Sequence, residues 1–297
     1  MFKTLIKTIL LVIFLITPAY GKTKIITTIS PLAYFIEKIG GEYVEVYTMI
    51  PPGGNPHTYE PTPAQMSVLS KADMYVKAGS GIEFELMWMA KLSAMNKDLE
   101  ICDLSTGIDL IDAPGEEEDE HQAEEEHDAH DHRHHGAKDP HIWLSPENGI
   151  IMAQNFLRAI TRADPGNSEY YRKNALDLSG KLAGLKKDIR KKLEGIKNRN
   201  FFIFHPAWGY FARDFNLTQI PIEFSGKEPT PERLTNLVKK AKHENIKVIF
   251  TSPQFSKKSA EVIANEIRGK VVFIDPMSGD YIKNLQHTAD MLRNNMK

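Results

Sequence analysis

The stretch Ile25-Ile26-Thr27-Thr28-Ile29-Ser30-Pro31-Leu32-Ala33-Tyr34-Phe35-Ile36-Glu37-Lys38-Ile39-Gly40-Gly41 sets the pattern for the whole chain. A short β-branched apolar run predicts a strand. Pro31 then starts a helical pattern that lasts to Ile39 and stops at Gly40-Gly41. The same unit recurs downstream, with strands expected over 44–50, 74–78 and 99–104 and helices over 63–71 and 84–95. Continuous apolar runs suit strands covered on both faces, and their alternation with helices points to a parallel sheet.

The pattern repeats toward the C-terminus. Strands are expected over 201–205, 217–223, 248–252 and 271–275, and helices over 206–215, 231–244, 256–267 and 280–296. Between the halves a helix over 146–162 stops at Asp164-Pro165-Gly166. Asn167 or Ser168 then caps a long helix carrying Tyr171, Ala175, Leu178, Leu182, Leu185, Ile189, Leu193 and Ile196 at steps of three and four. About thirty residues would make it about 45 Å long. The same stripe would also serve as a coiled-coil seam, although Gly180 and Gly184 interrupt it. The expected fold class is α/β: two Rossmann-like lobes with four-stranded parallel sheets, joined by one long rigid helix. The expected division is 22–165, 166–198 and 199–297. In such sheets ligands bind at the carboxyl ends of the strands, and two lobes make a cleft there.

Residues 1–21 read as a secretory signal, with Lys3 and Lys7 before an apolar run over 9–17 and Ala19-Tyr20-Gly21 as a small-x-small cleavage site. The run falls short of the about 20 residues a bilayer span needs. The mature chain is therefore expected to begin near Lys22 as a soluble protein of the periplasm. No Cys stands at the cleavage point to carry a lipid. The single Cys102 excludes an internal disulfide, so stability must come from the core. The net charge of −2 hides an acidic segment over 115–138, which holds ten acids against Arg133 and Lys138. The rest of the mature chain is only mildly basic and has no Lys/Arg cluster that would suit nucleic acid.

That acidic segment is also where histidine concentrates. Of 11 histidines, His121, His127, His130, His132, His134, His135 and His141 fall within a few dozen residues. The first six alternate with acids in a tract whose dense charge and lack of large apolar residues predict a disordered loop offering weak, overlapping metal sites. The seventh stands in Asp139-Pro140-His141-Ile142-Trp143, a stiff setting of another kind.

Three further residues share that setting. His57 lies in Pro51-Pro52-Gly53-Gly54-Asn55-Pro56-His57, directly after an expected strand. His205 ends the run Phe201-Phe202-Ile203-Phe204-His205 before Pro206, and Asp275 ends Val271-Val272-Phe273-Ile274-Asp275 before Pro276. A lone His beside Pro is ordinarily a satisfied turn residue, and Asp-Pro after a strand is often only a helix cap. Four such residues from separate segments, each at a strand end or on a loop entering one cleft, point instead to a metal site. Three neutral imidazoles with an oxygen donor or an open fourth position suit tetrahedral Zn²⁺ at about 2.0–2.1 Å, whereas Mn²⁺ prefers more oxygen. Glu60 and Glu223 are candidates to accept the second ring N–H of the imidazoles.

The segments Pro-His-Thr-Tyr-Glu-Pro-Thr-Pro (56–63), Asp-Pro-His-Ile-Trp-Leu-Ser-Pro (139–146), His-Pro-Ala-Trp-Gly-Tyr-Phe (205–211) and Glu-Pro-Thr-Pro (228–231) resemble those of the cluster A-I solute-binding proteins that feed ABC metal importers. The His-rich loop before His141 resembles the zinc branch, and the likeness runs through the whole mature chain. It implies a monomeric, non-enzymatic protein with one site in the cleft, made by His57, His141, His205 and either Asp275 or water. The partners implied are an ABC permease membrane subunit and its ATPase. The chain departs from some zinc-branch relatives in lacking their second-lobe disulfide. The alternatives are a manganese-binding member of the same family, a zinc hydrolase and a metal-dependent adhesin. Against the hydrolase, no His-Glu-x-x-His helix is present.

Overall fold

A computed structural model describes residues 21–114, 137–223, 229–255 and 257–296. Residues 1–20 of the expected signal segment and the six histidines His121, His127, His130, His132, His134 and His135 lie outside the described residues. The first sheet is built from β1 (Thr23–Thr27), β2 (Val44–Thr48), β3 (Met74–Lys77) and β4 (Glu100–Asp103), in the order β2-β1-β3-β4 with every pairing parallel. Its connections are α1 (Ser30–Gly40), α2 (Pro63–Leu69) and α3 (Glu83–Met95). Two helices follow, α4 (Pro146–Ala163) and α5 (Ser168–Lys192).

The second sheet repeats the plan. Strands β5 (Asn200–Ile203), β6 (Thr218–Pro221), β7 (Val248–Thr251) and β8 (Lys270–Phe273) run parallel in the order β6-β5-β7-β8. Helices α6 (Gly209–Asp214), α7 (Pro231–His243), α8 (Lys257–Glu266) and α9 (Tyr281–Asn295) complete it. The continuous apolar run of β5 is explained by two covered faces. Phe201 and Ile203 belong to the large core, whereas Phe202 and Phe204 point the other way into a smaller core with Leu237, Ala241, Ile263 and Ala264 of α7 and α8.

The large core is continuous between the lobes. Tyr171, Ala175, Leu178, Leu182, Leu185 and Ile189 of α5 are all buried, and the helix packs on α4, α1 and α9. Its apolar stripe is thus consumed within the chain, and no seam remains for a coiled-coil partner. From the other lobe, Tyr281 at the start of α9 packs edge-on against Phe35 of α1, with ring centroids 4.9 Å apart. The lobes therefore share a spine.

Element ends differ from expectation where side chains or glycines intervene. Helix α5 has 25 residues rather than about thirty, because Gly195 takes φ +76° just beyond it. Strands β5 and β8 stop two residues before His205 and Asp275. At His205 the backbone turns at once, with Ala207 N–H donating to the His205 carbonyl at 2.8 Å. Helix α6 starts only at Gly209, since the Trp208 N–H is taken by Gln219 Oε1. Both residues still emerge on the carboxyl side of their sheet. Among the described residues no helix is long and apolar enough to cross a membrane.

Candidate metal centre

The loop after β2 carries His57 and is tied at both ends. Met49 and Ile50 extend the ladder by donating to the Thr27 and Thr28 carbonyls. At the far end Thr62 and Gln65 form a reciprocal cap on α2, and Gln65 Nε2 also donates to the Met49 carbonyl at 2.5 Å. Between them, Asn55 Oδ1 accepts from the His57 N–H at 2.9 Å, an Asx turn that aims the residue. The ring's Nδ1 lies 2.8 Å from Glu83 Oε2 at the first turn of α3.

His141 is held by the residue two before it. Asp139 Oδ1 accepts from both the backbone N–H of His141, at 2.9 Å, and its ring Nδ1, at 2.8 Å. Asp139 is itself buried, and its carbonyl accepts from the Tyr210 hydroxyl at 2.9 Å. The adjoining Pro140 carbonyl accepts from Ser80 Oγ. Trp143 Nε1 donates to the Pro276 carbonyl at 2.8 Å, so the same segment is anchored to the second lobe.

His205 follows β5, and its Nδ1 lies 3.0 Å from Glu223 Oε1. Glu223 is buried and continues the β6 ladder, its N–H donating to the Phe204 carbonyl. Phe255 stacks on the imidazole at 4.4 Å with the rings 20° from parallel. Burial pushes the His205 imidazole down to about 4, outweighing the opposing pull of Glu223. At Glu83 the balance runs the other way: burial alone would raise its carboxyl, yet the neighbouring His57 holds it below the usual range.

Each imidazole thus turns Nδ1 toward a different carboxylate, and the three Nε2 atoms converge. His205 Nε2 lies 3.2 Å from His141 Nε2 and 3.3 Å from His57 Nε2. At His141 and His205 a neutral ring that gives Nδ1–H to its acid has only a lone pair at Nε2, so two acceptors face one another with His57 Nε2 beside them. Such a cluster is repulsive by itself and is satisfied by a cation. The spacing also matches: tetrahedral ligands about 2.05 Å from zinc stand about 3.3 Å apart. Among the described residues these three form the group of His, Cys, Asp and Glu side chains able to hold a metal ion.

Asp275 stands outside that group. Its Oδ1 accepts from Gln254 Nε2, on the loop after β7, and from the Met277 N–H of its own loop, each at 2.9 Å. Glu60 is exposed, and the acid at His57 is Glu83. Glu83 and Asp139 are the acids that sequence reasoning missed. A signal for each existed: Glu83 follows Gly79-Ser80-Gly81 at a strand's carboxyl end, and Asp139 sits two residues before a candidate ligand.

Comparison with known proteins shows the family to which the chain belongs. The sequence model of the family described as zinc-uptake complex component A, periplasmic, matches residues 25–295. The high-affinity zinc uptake system protein ZnuA of Bacillus subtilis is 31% identical over 289 residues, covering 93% of this chain and 88% of the relative. The zinc-binding protein AdcA of Streptococcus pyogenes serotype M3 is 29% identical over 289 residues; 94% of this chain is covered, but it spans only 56% of that longer relative. A crystal structure of ZnuA superposes with a TM-score of 0.84 at 36% identity, covering 93% of this chain and all of that one. The chain belongs to the family of periplasmic zinc-uptake components, ZnuA.

Proposed function

We propose that this chain captures Zn²⁺ in the cleft between its lobes and hands it to the membrane subunit of an ABC-type importer driven by its ATPase. His57, His141 and His205 are the ligands, and zinc is cargo. The observation that carries the reading is that His205 Nε2 lies 3.2 Å from His141 Nε2 and 3.3 Å from His57 Nε2, all three ligand atoms within 4.8 Å of one another, while each Nδ1 faces a carboxylate. Opposed acids fix the rings, raise their basicity and balance the charge of the ion without touching it. Three nitrogen donors favour zinc over manganese. Glu83, Asp139 and Glu223 are committed to the rings and Asp275 to Gln254, so none of these four acids serves as the general base a zinc hydrolase needs.

The protein acts in the periplasm as a monomer after removal of residues 1–21, with lobes at 22–165 and 199–297 joined through 166–198. The shared spine of α5 and the packing of Tyr281 on Phe35 support small tilts on release rather than wide hinge closure. The tract over 115–138 collects zinc at weak sites, upstream of the tight one. Competition titration with a chromophoric chelator tests the central assignment: wild type takes up one tight zinc, and His57→Ala, His141→Ala and His205→Ala each lose it. Stoichiometric tight zinc in His205→Ala would defeat the reading.

A further inference from the structure

The small cavity at the three imidazoles is also lined by Gln254, Phe255, Pro276 and Met277. Gln254 follows β7 in Thr251-Ser252-Pro253-Gln254-Phe255, the segment that places Phe255 on His205. The orientation of its amide follows from its neighbour. Asp275 Oδ1, 2.9 Å away, only accepts when ionised, so the NH₂ end of Gln254 must face it. The amide oxygen is thereby turned away from Asp275. That Oε1 is buried and has no hydrogen-bond partner, although a buried carbonyl oxygen ordinarily finds one. It is a neutral oxygen donor at a cavity where three nitrogens converge and a tetrahedral ion requires one more group.

Building on the zinc site above, we propose that Gln254 Oε1 supplies the oxygen donor of the fourth position, and that Asp275 is the positioning residue that aims it. Asp275 thus serves the site through Gln254 rather than by binding the ion. The arrangement is two-layered throughout, because every donor is held from behind by an acid: Glu83 behind His57, Asp139 behind His141, Glu223 behind His205 and Asp275 behind Gln254. It also leaves the inner donors uncharged, so the ion's charge is balanced only by the outer carboxylates. A neutral shell holds a dication less firmly than one with a bound carboxylate, which suits an ion that must be given up.

The test uses the full-length mature chain with Zn²⁺ and, for spectroscopy, Co²⁺. Gln254→Met keeps the length of the side chain and removes the oxygen. It is expected to retain one zinc per chain with affinity lowered about 10- to 100-fold. It should also let added azide alter the visible spectrum of the cobalt form, because the fourth position becomes open, while the wild-type spectrum resists azide. Asp275→Ala should lower affinity less than Gln254→Met does. The inference is overturned if Gln254→Met binds zinc as tightly as wild type and its cobalt spectrum resists azide, or if Asp275→Ala costs far more affinity than Gln254→Met. Thermal melting of metal-free Gln254→Met separates loss of fold from loss of the donor. Absence of tight zinc in the wild type would instead overturn the three-imidazole site itself.

Discussion

Glu223 Oε1 lies 3.0 Å from His205 Nδ1, a buried acid behind a buried ring whose other nitrogen faces two more imidazoles. The contact fixes the ring's tautomer as well as its direction, since a proton on Nδ1 leaves Nε2 free to bind a cation. Glu223→Gln keeps an acceptor in place but removes the charge, and should weaken zinc about 10- to 100-fold. Asp139→Asn should act similarly at His141. Glu83→Gln should cost less, because the Glu83 side chain is 45% exposed and that of Glu223 only 3%, so solvent screens the Glu83 charge. Competition titrations of the three variants check this order, and a larger loss for Glu83→Gln than for Glu223→Gln would contradict it.

Burial of His205 makes metal-free stability depend on pH. Its imidazole is pushed down to about 4, below the about 6.5 of an unfolded chain. As pH falls from about 6.5 to about 4, the unfolded chain takes up a proton that the folded ring refuses, so stability falls through that window. Below about 4 both states are protonated and this loss stops. The contribution is on the order of 3 kcal/mol across the window. Urea denaturation of chelator-treated protein at pH 7.5 and pH 4.5 should show wild type losing more stability than His205→Asn, which cannot titrate. Equal losses would remove His205 as the cause.

The alternation of apolar runs and helices made the two parallel sheets legible, because a strand covered on both faces shows no polar face. His205 was legible for a related reason, since a polar residue next to Pro after an apolar run must leave the sheet at its end; His57 and His141 stood out as imidazoles in proline-stiffened loops. The direction of a side chain beyond that point was not legible. Asp275 leaves β8 on the carboxyl side of the sheet, yet Gln254 and the Met277 N–H turn its carboxylate aside. Glu60 is three residues from His57, but the ring faces Glu83 on α3. Sequence distance carries no information about which acid a ring meets across a cleft.

Two kinds of glycine should behave oppositely. Gly180 and Gly184 lie on the exposed side of α5, where an added Cβ meets nothing within 4 Å. Gly180→Ala and Gly184→Ala should each stabilise the protein by about 0.5–1 kcal/mol, through lower backbone entropy in the unfolded chain. At Gly209 a Cβ would stand 2.3 Å from Asp139 Oδ2 and 3.1 Å from Ile111 Cδ1. Asp139 cannot yield without releasing His141, so Gly209→Ala should lower zinc affinity. Urea melts and zinc titrations of the three variants check the contrast; unchanged zinc affinity in Gly209→Ala would show that Asp139 can shift without cost.

The His-rich tract is bracketed by backbone pairing that does not depend on it. Ala113 N–H donates to the Ala137 carbonyl at 2.8 Å, Asp139 N–H donates to the Ile111 carbonyl at 3.0 Å, and Lys138 Nζ meets Asp112 Oδ1 at 2.6 Å. Deleting residues 116–135 would leave Pro114, Gly115 and Gly136 to link the paired ends, a length compatible with a short antiparallel turn. Asp139 then stays where it holds His141. The deletion removes His121, His127, His130, His132, His134 and His135, the donors of the weak sites proposed above. Titration should therefore show the tight zinc retained at wild-type affinity and the weaker equivalents gone. Loss of the tight equivalent would mean that the tract supplies a ligand to the central site, and the separation of collector from binding site would have to be abandoned.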